Sequence, residues 1–141
     1  MPTKSPMTQR AVDLVKRLVE NQDMSVAREL ISYGVPVISH IVAKVGDVWS
    51  PEAREAGLGV IGRIEGPATA VLLDWCTSPD DYARCAAIMA MDDRLSAGKA
   101  DCMPYLAQIR ATMQVLAQRD TFSRAREEAK SVLRELDRHG W

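Results

Sequence analysis

Apolar residues recur at helical spacing along nearly the whole chain. From Gln9 to Asn21 they fall at Ala11, Val12, Val15, Leu18 and Val19, with Asp13, Lys16, Arg17 and Glu20 on the other side, which predicts a first helix. Asp23 or Ser25 can cap a short second helix, Val26 to Tyr33, and Gly34 ends it because glycine tolerates a left-handed backbone. A third helix begins near Pro36, where the missing amide hydrogen costs nothing, and sets Val35, Ile38, Ile41, Val42 and Val45 on one face. Gly46-Asp47 is expected to break it. Ser50-Pro51 supplies a cap and a first-turn proline for helix four, which runs to about Ile64; Gly57 and Gly59 weaken it unless close packing compensates.

Pro67 to Cys76 predicts helix five, and Ser78-Pro79 starts helix six with Asp80 and Asp81 at its positive end. Met91 to Lys99, with Asp92, Asp93, Ser96, Ala97 and Gly98, reads as a longer connection. Helix seven, Cys102 to Gln118, is expected to bury Met103, Leu106, Ile109, Met113 and Leu116. Helix eight, Thr121 to Arg138, carries Phe122, Ala125, Ala129, Val132, Leu133 and Leu136 as a narrow stripe on a charged cylinder. No stretch alternates as a strand does, so the class is all-α with about eight short helices.

Three of these helices share a register. Gly34-Val35-Pro36-Val37-Ile38, Ala68-Thr69-Ala70-Val71-Leu72 and Cys102-Met103-Pro104-Tyr105-Leu106 align 34 residues apart without a gap. Ala-Arg opens the alternate helices at Ala27-Arg28, Ala53-Arg54, Ala83-Arg84 and Ala125-Arg126. Asp23, Asp47, Asp80 and Asp120 precede them in turn.

With Gly59-Val60-Ile61-Gly62-Arg63-Ile64 and Val35-Pro36-Val37-Ile38 as the closest local matches, the stretch from about Val26 to Leu136 resembles the HEAT-like repeats of the phycobilisome-lyase type. The resemblance implies a short right-handed α-solenoid of about four helical hairpins. It also implies an aspartate–arginine ladder between neighbouring units, which would make Arg28, Arg54, Arg84 and Arg126 structural. The chain departs from the pattern in two ways. Its Ala-Arg pairs are spaced 26, 30 and 42 residues apart, and Arg110 stands where the register puts Val42 and Cys76.

Composition narrows the classes. A length of 141 residues suits one domain, read as residues 9–141 behind a loose polar segment 1–8. No apolar run approaches the roughly 18 residues of a membrane span, and no apolar stretch follows the first residues as in a secretory signal. Cys76, Cys85 and Cys102 lie in apolar helical patterns at no metal-ligand spacing and read as reduced core thiols, so the expected location is the cytoplasm. A net charge of -1 makes nucleic acid an unexpected partner.

In a solenoid the second helices form one surface, and the register selects what projects from it. His40, Asp74 and Gln108 form its central row, flanked by Lys44, Ser78 and Thr112 and edged by Val37, Val71 and Tyr105. His40, Lys44, Asp74, Ser78, Tyr105 and Gln108 are therefore the candidate partner-binding residues, on a nearly neutral surface suited to a protein or peptide. Neither histidine has an acidic or nucleophilic partner in the pattern, so no catalytic, metal or cofactor residue is assigned. The expected function is a non-catalytic binding scaffold or adaptor. Two alternatives stand beside it. One is a small enzyme or lyase- or chaperone-like subunit, bilin-lyase-like by resemblance or glycosylase-like through Asp74-Trp75 and Trp49. The other is a self-associating module meeting a second copy through Val12, Val15 or Val19.

Overall fold

The computed structural model describes residues 6–141, with side chains from Gln9 onward. Eight α-helices follow one another: α1 (Pro6–Asn21), α2 (Ala27–Tyr33), α3 (Ile38–Val48), α4 (Pro51–Arg63), α5 (Thr69–Trp75), α6 (Asp81–Ser96), α7 (Leu106–Arg119) and α8 (Ser123–His139). Short 3-10 turns at Met24–Val26, Val35–Val37 and Ala100–Tyr105 lead into α2, α3 and α7. There is no strand among the described residues. Of the expected loose segment, residues 1–5 lie outside the description, and α1 already begins at Pro6.

Local chemistry sets most helix starts. The Ser50 hydroxyl accepts the Ala53 amide at 3.1 Å while Pro51 occupies the first turn of α4. Asp80 caps α6 by accepting from Tyr82 and Ala83 at 2.9 and 3.2 Å. Gly34, at φ 74°, separates α2 from the next turn. Pro104 disfavours an α conformation in the residue before it, so the expected seventh helix opens as a 3-10 turn and leaves Met103 exposed rather than buried.

Two expected boundaries moved for the same physical reason: the buried stripe continues past residues that look like loop. Gly46-Asp47 does not break α3, because Gly46 is where α3 meets α6. A Cβ there would stand 2.9 Å from the Ala83 backbone nitrogen. The helix instead ends at Trp49, held left-handed at φ 41°. Likewise α6 runs through Asp92-Asp93 to Ser96, since Met91, Arg94 and Leu95 extend the buried face begun by Ala87 and Ile88.

One continuous core joins all the helices. In it α2 packs on α4, α4 on α6 and α6 on α8, while α3 touches α5 and also packs directly on α6. Helix α1 covers α3 and α4, which buries Val15 and Val19 inside the chain and leaves Val12 outside. Gly57 sits at that three-helix junction. An added Cβ would meet Val45 Cγ2 at 2.4 Å and Ile41 Cγ2 at 3.2 Å. Gly59 has no such reason, since a Cβ there would meet nothing within 4 Å.

Helix α6 is fixed at both ends by an arginine. Arg94, 1% exposed, donates to the Ile61, Ile64 and Gly66 carbonyls and, at 2.7 Å, to Asp101 Oδ1. Asp101 Oδ2 in turn accepts the Ala68 and Thr69 amides at 2.9 and 3.0 Å and the Thr69 hydroxyl at 2.7 Å. One ion pair therefore satisfies the carbonyl end of α4 and the amide end of α5, and ties both to the start of the Ala100–Tyr105 turn. Only Arg94 Nε is left without a partner among the buried side-chain polar atoms described.

At the other end, Arg84 holds both oxygens of Asp120, Nε at 2.7 Å and Nη2 at 2.6 Å, and also the Ser78 carbonyl and Asp81. Burial pushes the Asp101 and Asp120 carboxyls up, but their hydrogen bonds and arginines outweigh it and leave both below the ordinary 3.8. Burial dominates at Asp92 and Asp93, which are raised.

Two predictions follow from this packing. Gly57→Ala should destabilise by roughly 1–3 kcal/mol through overpacking, whereas Gly59→Ala should stabilise by about 0.5–1 kcal/mol. Urea unfolding of the pair checks this, and equal effects would contradict it.

The second concerns acid. Stability from Asp101 and Asp120 is complete above the ordinary carboxylate value and is lost as pH falls through their lowered ones. Asp92 and Asp93, being raised, have the opposite sign and destabilise less as they protonate. Melting temperature should therefore hold or rise slightly on acidification to about pH 4 and drop below it. In Asp120→Asn the drop should be shallower, from a neutral-pH stability lowered by roughly 3–5 kcal/mol. A main loss above pH 5 or so, or an unchanged acid slope in the variant, would refute the assignment.

Candidate functional site

Of the six residues expected on a binding surface, the structure brings two together. His40 and Lys44 line an open groove of about 320 Å³ between α1, α3 and α5, with Val12, Val15, Ser39, Ala43, Asp47 and Trp75. Helix α3 presents Ser39, His40, Ala43 and Lys44 at the spacing that puts them on one side. Its opposite side, Ile38, Ile41, Val42 and Val45, is fully buried, so the groove has a rigid back. Trp75 forms a wall, its indole N–H donating to Ser39 Oγ at 3.0 Å. Lys44 is held to Glu20 at 2.9 Å, which neutralises that part of the rim.

The other four stand apart from the groove. Asp74 is exposed on α5 one residue before Trp75. Ser78 is half-buried, with its hydroxyl accepting from the Asp80 amide and its carbonyl taken by Arg84. Tyr105 is half-buried at the end of its 3-10 turn, and Gln108 is exposed on α7. Helix α5 packs on α3 and on the Ala100–Tyr105 turn, while α7 packs chiefly on α8. Val37, expected on the apolar edge, is buried.

The four repeat arginines do four different things. Arg84 pairs with Asp120, Arg126 donates to the Asp120 carbonyl at 2.7 Å, and Arg54 lies 4.6 Å over the Trp49 ring. Arg28 is exposed and makes no ion pair among the described residues. The aspartates are as varied: Asp23 pairs with Arg17 at 2.8 Å, and Asp80 serves as a helix cap. Arg110, the residue out of register, donates to Asp137 and to the Trp141 carbonyl, where α7 meets α8 and has a polar partner within reach.

Sequence reasoning passed over Arg94, Asp101 and Thr69. A signal existed: on α6 the buried stripe Ala87, Met91 begins one turn after Arg84 and ends at Arg94, so an apolar face is closed by arginine at both ends. It also passed over a cluster of Trp49, Tyr82 and Phe122, with ring centroids 5.1 Å apart for the first pair and 5.2 Å for the last. Trp49 thus belongs to this cluster while Trp75 lines the groove, so the acid-beside-aromatics set of the glycosylase alternative is split. The three cysteines are buried. Their thiols are raised by burial, Cys76 and Cys85 to about 12, which keeps them protonated at neutral pH. Among the described residues no helix is long and apolar enough to cross a membrane.

Comparison with protein-family models, curated proteins and solved structures gives no match for this chain.

Proposed function

We propose that the chain is a non-catalytic binding module whose helices form a short right-handed stack of HEAT-like hairpins, and which takes a short peptide segment in the His40–Trp75 groove. The stack is supported by the sequential packing of α2, α4, α6 and α8 and by arginines joining alternate turns. The direct packing of α3 on α6 departs from a simple stack, and the shortness of α5 accounts for it. The functional reading rests on one observation: a half-buried tryptophan, anchored by a hydrogen bond to Ser39, walls an open and mostly apolar groove with a rigid back. Such a groove accepts one apolar side chain of a partner, and its size is at the small end for ligand sites. The Ser39 hydroxyl, which accepts from Trp75, keeps an O–H to donate to a peptide carbonyl. His40 and Asp47 then supply a polar rim.

Ala43→Glu would put a carboxylate into the groove from a residue that is only partly buried. Peptides enriched on wild-type protein from a displayed random library should bind this variant at least about tenfold more weakly, a loss of about 1.4 kcal/mol, with an unchanged melting temperature. Equal binding by both proteins would remove the groove as the site.

A further inference from the structure

A glycine that the packing does not require marks a second surface. Gly59 lies mid-way along α4 with its side exposed, where glycine weakens a helix. Gly57, two residues earlier, is required by its neighbours; a Cβ at Gly59 meets nothing within 4 Å. Two grooves meet at Gly59. One, of about 520 Å³, is bordered by Met24 and Glu52 and the other, of about 380 Å³, by Leu58, Met89 and Asp93; Glu55 and Gly59 are common to both.

The lining is unlike that of the His40–Trp75 groove. Met24 is 51% exposed, and unbranched methionines re-pack readily around an apolar partner. Glu52, Glu55 and Asp93 form no ion pair among the described residues, and Arg54, the cation beside them, is turned onto Trp49. Asp93 is raised first by burial and then by the nearby charges of Asp92 and Glu128. Arg63, one turn past Gly59, closes the acidic stretch. A missing Cβ permits another backbone to cross closely, the methionines take apolar side chains, and the carboxylates select cations.

We propose that this face docks a basic amphipathic helix of a partner protein. The helix crosses α4 at Gly59 with its Lys or Arg residues over Glu52, Glu55 and Asp93. This surface is separate from the peptide groove, and neither proposal requires the other.

The test uses the full chain and two fluorescein-labelled helical peptides of matched length, one of leucine and lysine and one of leucine and glutamate. Fluorescence anisotropy should show saturable binding of the lysine peptide alone, abolished near 1 M salt, where screening reaches about 3 Å. Gly59→Gln, which fills the crossing point, and the double change Glu52→Gln with Glu55→Gln should each weaken binding by about tenfold or more. Gly59→Gln should melt no lower than wild type, because glutamine is the better helix former. Ala43→Glu, in the other groove, should bind the lysine peptide as wild type does. Equal binding of the two peptides, undiminished binding by Gly59→Gln, or a loss caused by Ala43→Glu would each overturn the proposal.

Discussion

A guanidinium 1% exposed to solvent must find acceptors, and those Arg94 finds decide how half of this molecule is joined. Three are backbone carbonyls at the exit of α4 and the fourth is a carboxylate that caps the entry to α5. The α4–α5 turn is tight and holds Gly66 at φ 104°, and α5 has only seven residues, too few to be stable by propensity alone. What keeps α5 helical is its docking on α3 and α6 and the amide cap from Asp101. Because α5 carries Trp75, the wall of the His40–Trp75 groove depends on an ion pair at its other end.

Arg84 repeats the arrangement at the far end of α6, joining the α5–α6 turn to the α7–α8 turn through Asp120. Ten positions apart on one helix, the two arginines lie along its buried side, and the close approach of Ala83 to Gly46 presses the same helix onto α3. Helix α6 is therefore the structural centre, although its hydrophobic pattern is not the strongest in the chain. Its polar anchors lie inside the fold, and the surfaces left free on either side are those proposed for partners.

Much of the fold was legible because apolar spacing, caps and prolines act locally. The helix start at Ser50-Pro51, the end at Gly34 and the buried thiols all follow from a few adjacent residues, whereas the sixth helix, expected to start at Ser78-Pro79, begins at Asp81 behind the Asp80 cap. The misread stretches are those where a distant contact decides. Asp92-Asp93 and Ser96-Ala97-Gly98 have loop composition, but Leu95 and Arg94 belong to the core and carry the helix through. Gly46-Asp47 resembles a stop until Ala83 is placed against it. The HEAT-like resemblance implied a uniform arginine ladder, but recurrence of a dipeptide does not specify which carboxylate stands nearby. Of the candidate surface, His40 and Lys44 were legible from helical register; Ser39 and Trp75 needed the packing of α5 on α3, and Gly59 needed the knowledge that nothing covers it.

The central claim is that the Arg94–Asp101 pair holds α5 in place. Native-state hydrogen exchange at the Ala68 and Thr69 amides, both bonded to Asp101 Oδ2, tests it most directly. If the pair is the constraint described, these amides exchange only with global unfolding, at the same free energy as the core amides of α6. Exchange at the rate of an exposed turn, while α6 stays protected, would contradict it.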